Sequence, residues 1–287
     1  MKNSYLYLAL VLIFASCETV VQLDLVEGKK NLVSQSVLEF TQGEEFGVAT
    51  VTLTETAAFF SEDSNPIVSG ALVVINDIYT LEEIGTSGVY VNNNIPLANN
   101  SEFKLSIEAE INDLQGSWKG TDLFTSLATI DTFYVDFQPS QNPHESDGYF
   151  LNIGFEDPGD EVNFYLQELD EILLDTAAMN KRGFGMMFRI YDDLFVNGNC
   201  IEFPINDRAY MIGDSIDFKF SSISEPSFLF YENLFQLTFQ TIGTGAAPPF
   251  PLRGNLVSQN DNFENALGNF KVKNMFHKSV VIGEEWR

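Results

Sequence analysis

The chain has 287 residues, with 15 Lys plus Arg against 41 Asp plus Glu, for a formal charge of −26. Residues 120–180 hold 13 acids and no base, so this surface repels nucleic-acid phosphates and anionic headgroups. A composition that is 45% hydrophobic and 13% aromatic excludes a disordered chain, and having only 2 His removes the raw material of most zinc sites and Ser–His–acid centres.

Residues 1–16 read MKNSYLYLALVLIFAS. Lys2 and the apolar run from Tyr5 to Phe14 have the layout of a secretory signal. The run falls short of the roughly 20 residues that a permanent membrane helix needs. Ala15 and Ser16 then precede Cys17, and small residues there let a lipoprotein signal peptidase reach the backbone. Phe14 departs from the usual aliphatic residue three positions before the cysteine. Cys17 is therefore expected to become the acylated N-terminus, with 17–30 as a lipidated tether. Loss of Lys2 takes the charge from −26 to −27. Cys200 is then left alone, so no intramolecular disulfide is expected.

Strands dominate the rest of the chain. Leu32–Phe40, Ala49–Thr56, Gly70–Ile75, Gly88–Val91 and Glu102–Glu110 are short β-rich runs divided by turn residues. Asn76-Asp77 ends the third, and Asn92-Asn93-Asn94 reads as a turn after the fourth. In the fifth, Phe103, Leu105, Ile107 and Ala109 face one way. Ile111 to Gly116 is the best boundary signal, which places an N-terminal β-sandwich at 31–115 and a C-terminal β-rich domain at 116–287. The second domain is expected to use strands at Ala128–Phe137, Tyr149–Phe155, Val162–Leu169, Met186–Ile190 and Asp217–Phe220. Asn197-Gly198 reads as a hairpin turn. Ser224-Glu225-Pro226 opens the main helix, at about residues 225–241, with Phe228, Tyr231, Leu234, Phe235 and Thr238 at helical spacing. That stripe reads as packing against a sheet. Asn255–Val257 and Leu267–Val272 close the chain.

Chemical motifs are sparse. No G-x-S-x-G, H-E-x-x-H, Walker loop or C-x-x-C is present, and Gly243-Thr244-Gly245 runs into Ala246-Ala247-Pro248 rather than a dinucleotide fingerprint. His144 and His277 read as surface residues. Two acidic turns offer the hard oxygens that calcium takes: Asp157 and Asp160 in one, Asp192 and Asp193 in the other. Neither matches an EF-hand loop, and acidic turns are ordinary on so acidic a chain.

Several segments succeed one another in a set order. They are the Cys17 lipobox, Val68–Val73 with Gly88–Tyr90, Phe155–Pro158 with Asn163–Tyr165, Tyr191–Phe195 with Asn197-Gly198, Ser222–Glu225, and Gly254–Leu256 with Ala266–Phe270. This order resembles the Bacteroidota outer-membrane lipoproteins catalogued as domain of unknown function 4249. The likeness covers most of residues 17–272 and leaves the tail from Asn274 to Arg287 outside.

The resemblance implies a mainly β fold, with an N-terminal immunoglobulin-like or prealbumin-like sandwich and a second antiparallel β domain. It also implies genes beside SusC-like TonB-dependent receptors, and it supplies no catalytic residues. The expected role is a lipid-anchored, non-catalytic subunit or ligand-capturing partner of such a receptor, or of another outer-membrane β-barrel, on the cell-surface side. A free-standing adhesion or ligand-binding sandwich is the alternative, and a carboxylate-based hydrolase a third reading. No organic cofactor and no nucleic acid are expected; the lipid on Cys17 is the one covalent group, and the bilayer a partner through it. Mass spectrometry of the native protein should find a lipid-modified peptide beginning at Cys17, and Cys17→Ala should leave the precursor uncut. Cleavage after another residue would sink the assignment.

Overall fold

The computed structural model describes residues 30–57, 65–97, 102–139, 147–174, 188–194, 196–205, 208–240 and 250–284. Cys17, the signal and most of the tether lie outside them, as do His144 and Gly243–Gly245. Sixteen strands and one helix make up the described elements. The chain is mainly β, in several sheets built almost wholly from antiparallel pairs.

An eight-stranded sheet runs through the whole molecule. Its strands are β1 (Leu32–Thr41), β2 (Phe46–Glu55), β5 (Glu82–Glu83), β6 (Val89–Pro96), β11 (Phe164–Ile172), β12 (Phe188–Asp192), β14 (Ser215–Ile223) and β16 (Leu267–Val281), in the order β12-β11-β14-β16-β1-β2-β6-β5. Two smaller sheets cover one of its faces. The first joins β15 (Val257–Ser258), β8 (Leu114–Leu123), β7 (Glu102–Ile111), β3 (Leu72–Ile75) and β4 (Tyr79–Thr80); the second joins β13 (Cys200–Pro204), β10 (Gly148–Glu156) and β9 (Thr129–Gln138).

The pleat explains both cores. Leu32, Leu38 and Phe40 of β1 meet Leu105, Ile107 and Trp118 in the first core, with Phe270 and Val272 of β16. Farther along β16, Phe276 and Val280 join Phe218, Phe220, Ile153 and Phe155 in the second. All four β16 residues are even-numbered, so one face of one strand serves both cores. The odd-numbered residues face away. There the helix, α1 (Glu225–Gln240), packs Phe228, Tyr231 and Leu234 against Leu166 and Phe188, as its stripe indicated.

Three readings change. Asn92–Asn94 stays within β6, where the register against β2 moves from Gly47↔Ile95 to Ala49↔Asn92. One extra residue on β6 makes a β-bulge, so the irregularity is real but does not end the strand. The Ile111–Gly116 segment is a tight hairpin: Asn112 and Asp113 both take positive φ, 54° and 62°, and Ile111 pairs with Leu114. Residues 115 and 116 thus sit in β8 and continue the first core as far as Trp118. Asn197-Gly198 turns as expected, with Gly198 at φ 71°. The strands it joins belong to different sheets, however, so it carries the chain from one layer to the other.

β1 and β16 pair in parallel from Val33↔Leu267 to Thr41↔Met275. Gly268 makes the start of this ladder possible. Its φ is +96°, and a Cβ there would lie 2.0 Å from the Ser34 carbonyl oxygen. Gly268→Ala should therefore cost at least ~2 kcal/mol. A denaturant titration should show a lower midpoint with an unchanged slope; a midpoint equal to wild type would contradict the register.

Candidate functional site

The outward face of the central strands carries a cluster of part-buried and buried charges around Lys273. Lys271 and Lys273 alternate along β16, so both point away from the cores. Lys273 is 2% exposed. Its Nζ lies 2.6 Å from Glu39 on β1 and also donates to Glu168 on β11. Burial opposes the Glu39 carboxylate, but the adjoining Lys273 ammonium more than offsets this and holds it below the ordinary value of 4.5. Lys219 stands 3.9 Å from the same carboxylate.

Lys271 sits differently. Its Nζ donates to the Tyr231 hydroxyl of α1 at 2.6 Å and has no carboxylate within salt-bridge distance among the described residues. Burial pushes Lys271 below the usual lysine range, and the charges of Glu168 and Glu39 pull it back in part. Tyr231 is pushed well above the normal phenol range, chiefly by its own burial, and stays neutral. Together they form one end of a cleft of about 360 Å³ between α1 and the first residues of β1 and β16. Val33, Phe230, Leu234, Leu252 and Leu267 supply its apolar walls.

A buried polar knot fixes α1 above this face. Ser224 is the N-cap, its Oγ accepting from Ser227 N at 3.3 Å. Asp122, 3% exposed at the end of β8, accepts from Ser224 Oγ, from Ser227 Oγ at 3.1 Å and from Val272 N at 2.6 Å. Burial raises the Asp122 carboxyl above its ordinary value, and these donors oppose that rise. A carboxylate at a helix N-terminus is also favoured by the helix dipole.

The two acidic turns do come together. Asp157 N donates to Asn199 O at 3.1 Å, and Gly159 and Gly198 approach so closely that a Cβ on Gly159 would lie 3.0 Å from the Gly198 Cα. Asp157 and Asp193 are both 2% exposed. Asp157 accepts from the Tyr165 hydroxyl at 2.5 Å and from Gly198 N at 3.0 Å, while Asp193 accepts from Asn163 N at 2.8 Å. These carboxylates therefore staple two loops to β11. Asp160 and Asp192 are exposed, and Asp192 accepts from Leu194 N at 3.3 Å.

Sequence reading passed over a different donor set. Asp131, Glu156 and Cys200 lie exposed on neighbouring strands β9, β10 and β13, their ligand atoms within 4.8 Å of one another. Two carboxylates and a thiol would suit a zinc-like cation. Cross-strand register makes this group, and nothing in the linear spacing announces it. His277 lies exposed on β16, as expected, with Nε2 2.7 Å from Asp217 Oδ1. Ser279 Oγ donates to that same oxygen at 2.5 Å. The acid stands between hydroxyl and imidazole, whereas nucleophilic catalysis puts the imidazole in the middle.

Lys271 and Lys273 carry a signal in the sequence that the motif reading does not use: two of only 15 basic residues alternate with the apolar Phe270 and Val272 in the closing strand. Lys273→Met should cost about 3 kcal/mol at neutral pH, because it leaves two carboxylates facing one another. The Glu39 contribution is present above about pH 4.5 and is lost as pH falls through its lowered folded value. The wild-type thermal midpoint should therefore drop more steeply on acidification than that of the variant. Parallel curves would refute the pairing.

No characterised protein matches the chain in sequence. The pattern of one family does, over residues 21–279, and so extends past Asn274 into the first part of the tail that the resemblance leaves outside. The matched span takes in β1 through nearly all of β16, the two strands whose pairing closes the central sheet. The chain belongs to the family described as domain of unknown function (DUF4249).

Proposed function

We propose that this protein is a lipid-anchored, non-catalytic subunit of an outer-membrane β-barrel complex, with a SusC-like TonB-dependent receptor as its partner on the cell-surface side. The observation that carries the reading is the open corner of the sandwich. The eight-stranded sheet ends at β5 and the five-stranded sheet at β4, and these two-residue strands are separated only by the buried Leu81. Leu72, Ile78 and Ile84 are exposed around them, Ile78 at 72%. Sheet edges with uncovered apolar side chains are natural contact surfaces for another β protein.

An acyl anchor on Cys17 supports the reading, because confinement to a membrane raises the effective concentration against membrane partners. The cleft beside Lys271 favours the second reading, a free-standing ligand-binding lipoprotein, since it needs no partner to form. A tagged full chain, drawn from mildly solubilised outer membrane, should bring down a barrel protein in stoichiometric amount. Ile78→Asp combined with Ile84→Asp should release the barrel while leaving the chain acylated and folded. Elution without any barrel, under conditions that preserve other such complexes, would leave the free-standing reading in its place.

A further inference from the structure

We propose that the cleft between α1 and the start of β1 and β16 binds an amphipathic monocarboxylate, with its carboxylate on Lys271 and its tail along Val33, Leu234 and Leu267.

The charge arrangement points to an anion. Lys273 stands between Glu39 and Glu168 on this face, and Lys219 is shared between Glu39 and Asp217. Lys273 takes both of its neighbouring carboxylates, which leaves Lys271 with the neutral Tyr231 hydroxyl as its hydrogen-bond partner among the described residues. An ammonium withdrawn from water without a counter-ion is costly, and an incoming carboxylate offsets that cost. Burial displaces the Lys271 pKa downward, and the nearby but non-contacting Glu168 and Glu39 charges restore it only in part. Tyr231 adds a hydroxyl beside the head group.

The walls and the volume define the rest of the ligand. The exposed lining of the cleft is mainly apolar, with Gln35 and Asn269 among its polar side chains, which fits a short hydrocarbon tail better than a sugar. About 360 Å³ lies at the lower end of the range for small-ligand sites, so the occupant is compact. A single negative charge is favoured, because a polyanion would meet the field of a chain with a net charge of −26. Val33 stands at the beginning of β1, 16 residues after Cys17. At ~3.4 Å per residue that segment reaches at most ~55 Å, which keeps the cleft near the surface to which Cys17 would be anchored.

The test uses the acylated full chain in phosphatidylcholine nanodiscs, titrated with octanoate carrying 13C in its carboxyl group. A shifted carboxyl resonance should saturate at one equivalent, above the background of empty nanodiscs. Octanol should bind at least tenfold more weakly, and Lys271→Met should weaken octanoate at least tenfold. Leu267→Trp fills the cleft with Lys271 in place and should abolish saturation, which separates loss of the site from disturbance of α1. Equal affinity for octanol and octanoate, absence of saturable binding, or unchanged binding in either variant overturns the proposal. Oleate offered in vesicles resolves the source: its transfer to the protein identifies an acid drawn from the membrane, and octanoate binding alone identifies a free one. None of these readouts involves the barrel partner, so the two proposals stand or fall separately.

Discussion

The parallel ladder between β1 and β16 is the constraint on which the rest of the structure depends. It joins the first and last long strands of the described chain at the centre of the largest sheet, with β2 on one side and β14 on the other. Neither core closes without β16, which lends Phe270 and Val272 to one and Phe276 and Val280 to the other. A contact between residues more than two hundred positions apart is expensive in loop entropy and forms late unless other contacts bring its partners together. The local hairpin β7–β8, with its positive-φ turn, and the β1–β2 and β9–β10 pairs are among the elements that can form without it.

The same pairing organises the polar interior. Because β1, β16, β14 and β11 are neighbours, Glu39, Lys273, Lys219 and Glu168 meet across four strands on one face. The Asp122 knot then attaches α1 over that face by linking β8, β16 and the helix cap in one hydrogen-bonded group. Asn269 extends it, donating to Ser227 Oγ at 3.1 Å and accepting from Asn255 N at 3.3 Å. Burying a carboxylate at this junction costs desolvation, and the three donors together with the helix N-terminus offset part of that cost.

Local signals were legible where they were physically local. β7 alternates apolar and polar residues, and it was read to within a residue; α1 carries a Ser cap, a first-turn Pro and a clean stripe. β8 left no such trace, because its buried positions are Gly116, Trp118, Gly120 and Asp122. Gly116 is small because the Trp118 ring lies over it, and Gly120 because Leu256 does. Space claimed by a large neighbour on the same strand and by Leu256 far along the chain thus erases the alternation. β13 was hidden in a similar way: Cys200 to Pro204 pairs with β10, more than forty positions away. The Lys271 cleft depends on register between three elements, none adjacent in sequence, so the chain could show its lysines but not what they face.

The position of β1 also has a mechanical consequence. The residues that precede it enter the body through a strand bonded on both sides, not through a free edge. A load drawn along those residues acts parallel to β1 and stresses its two ladders in shear. The nine register pairs with β16 and the eight with β2 must then yield together rather than one after another.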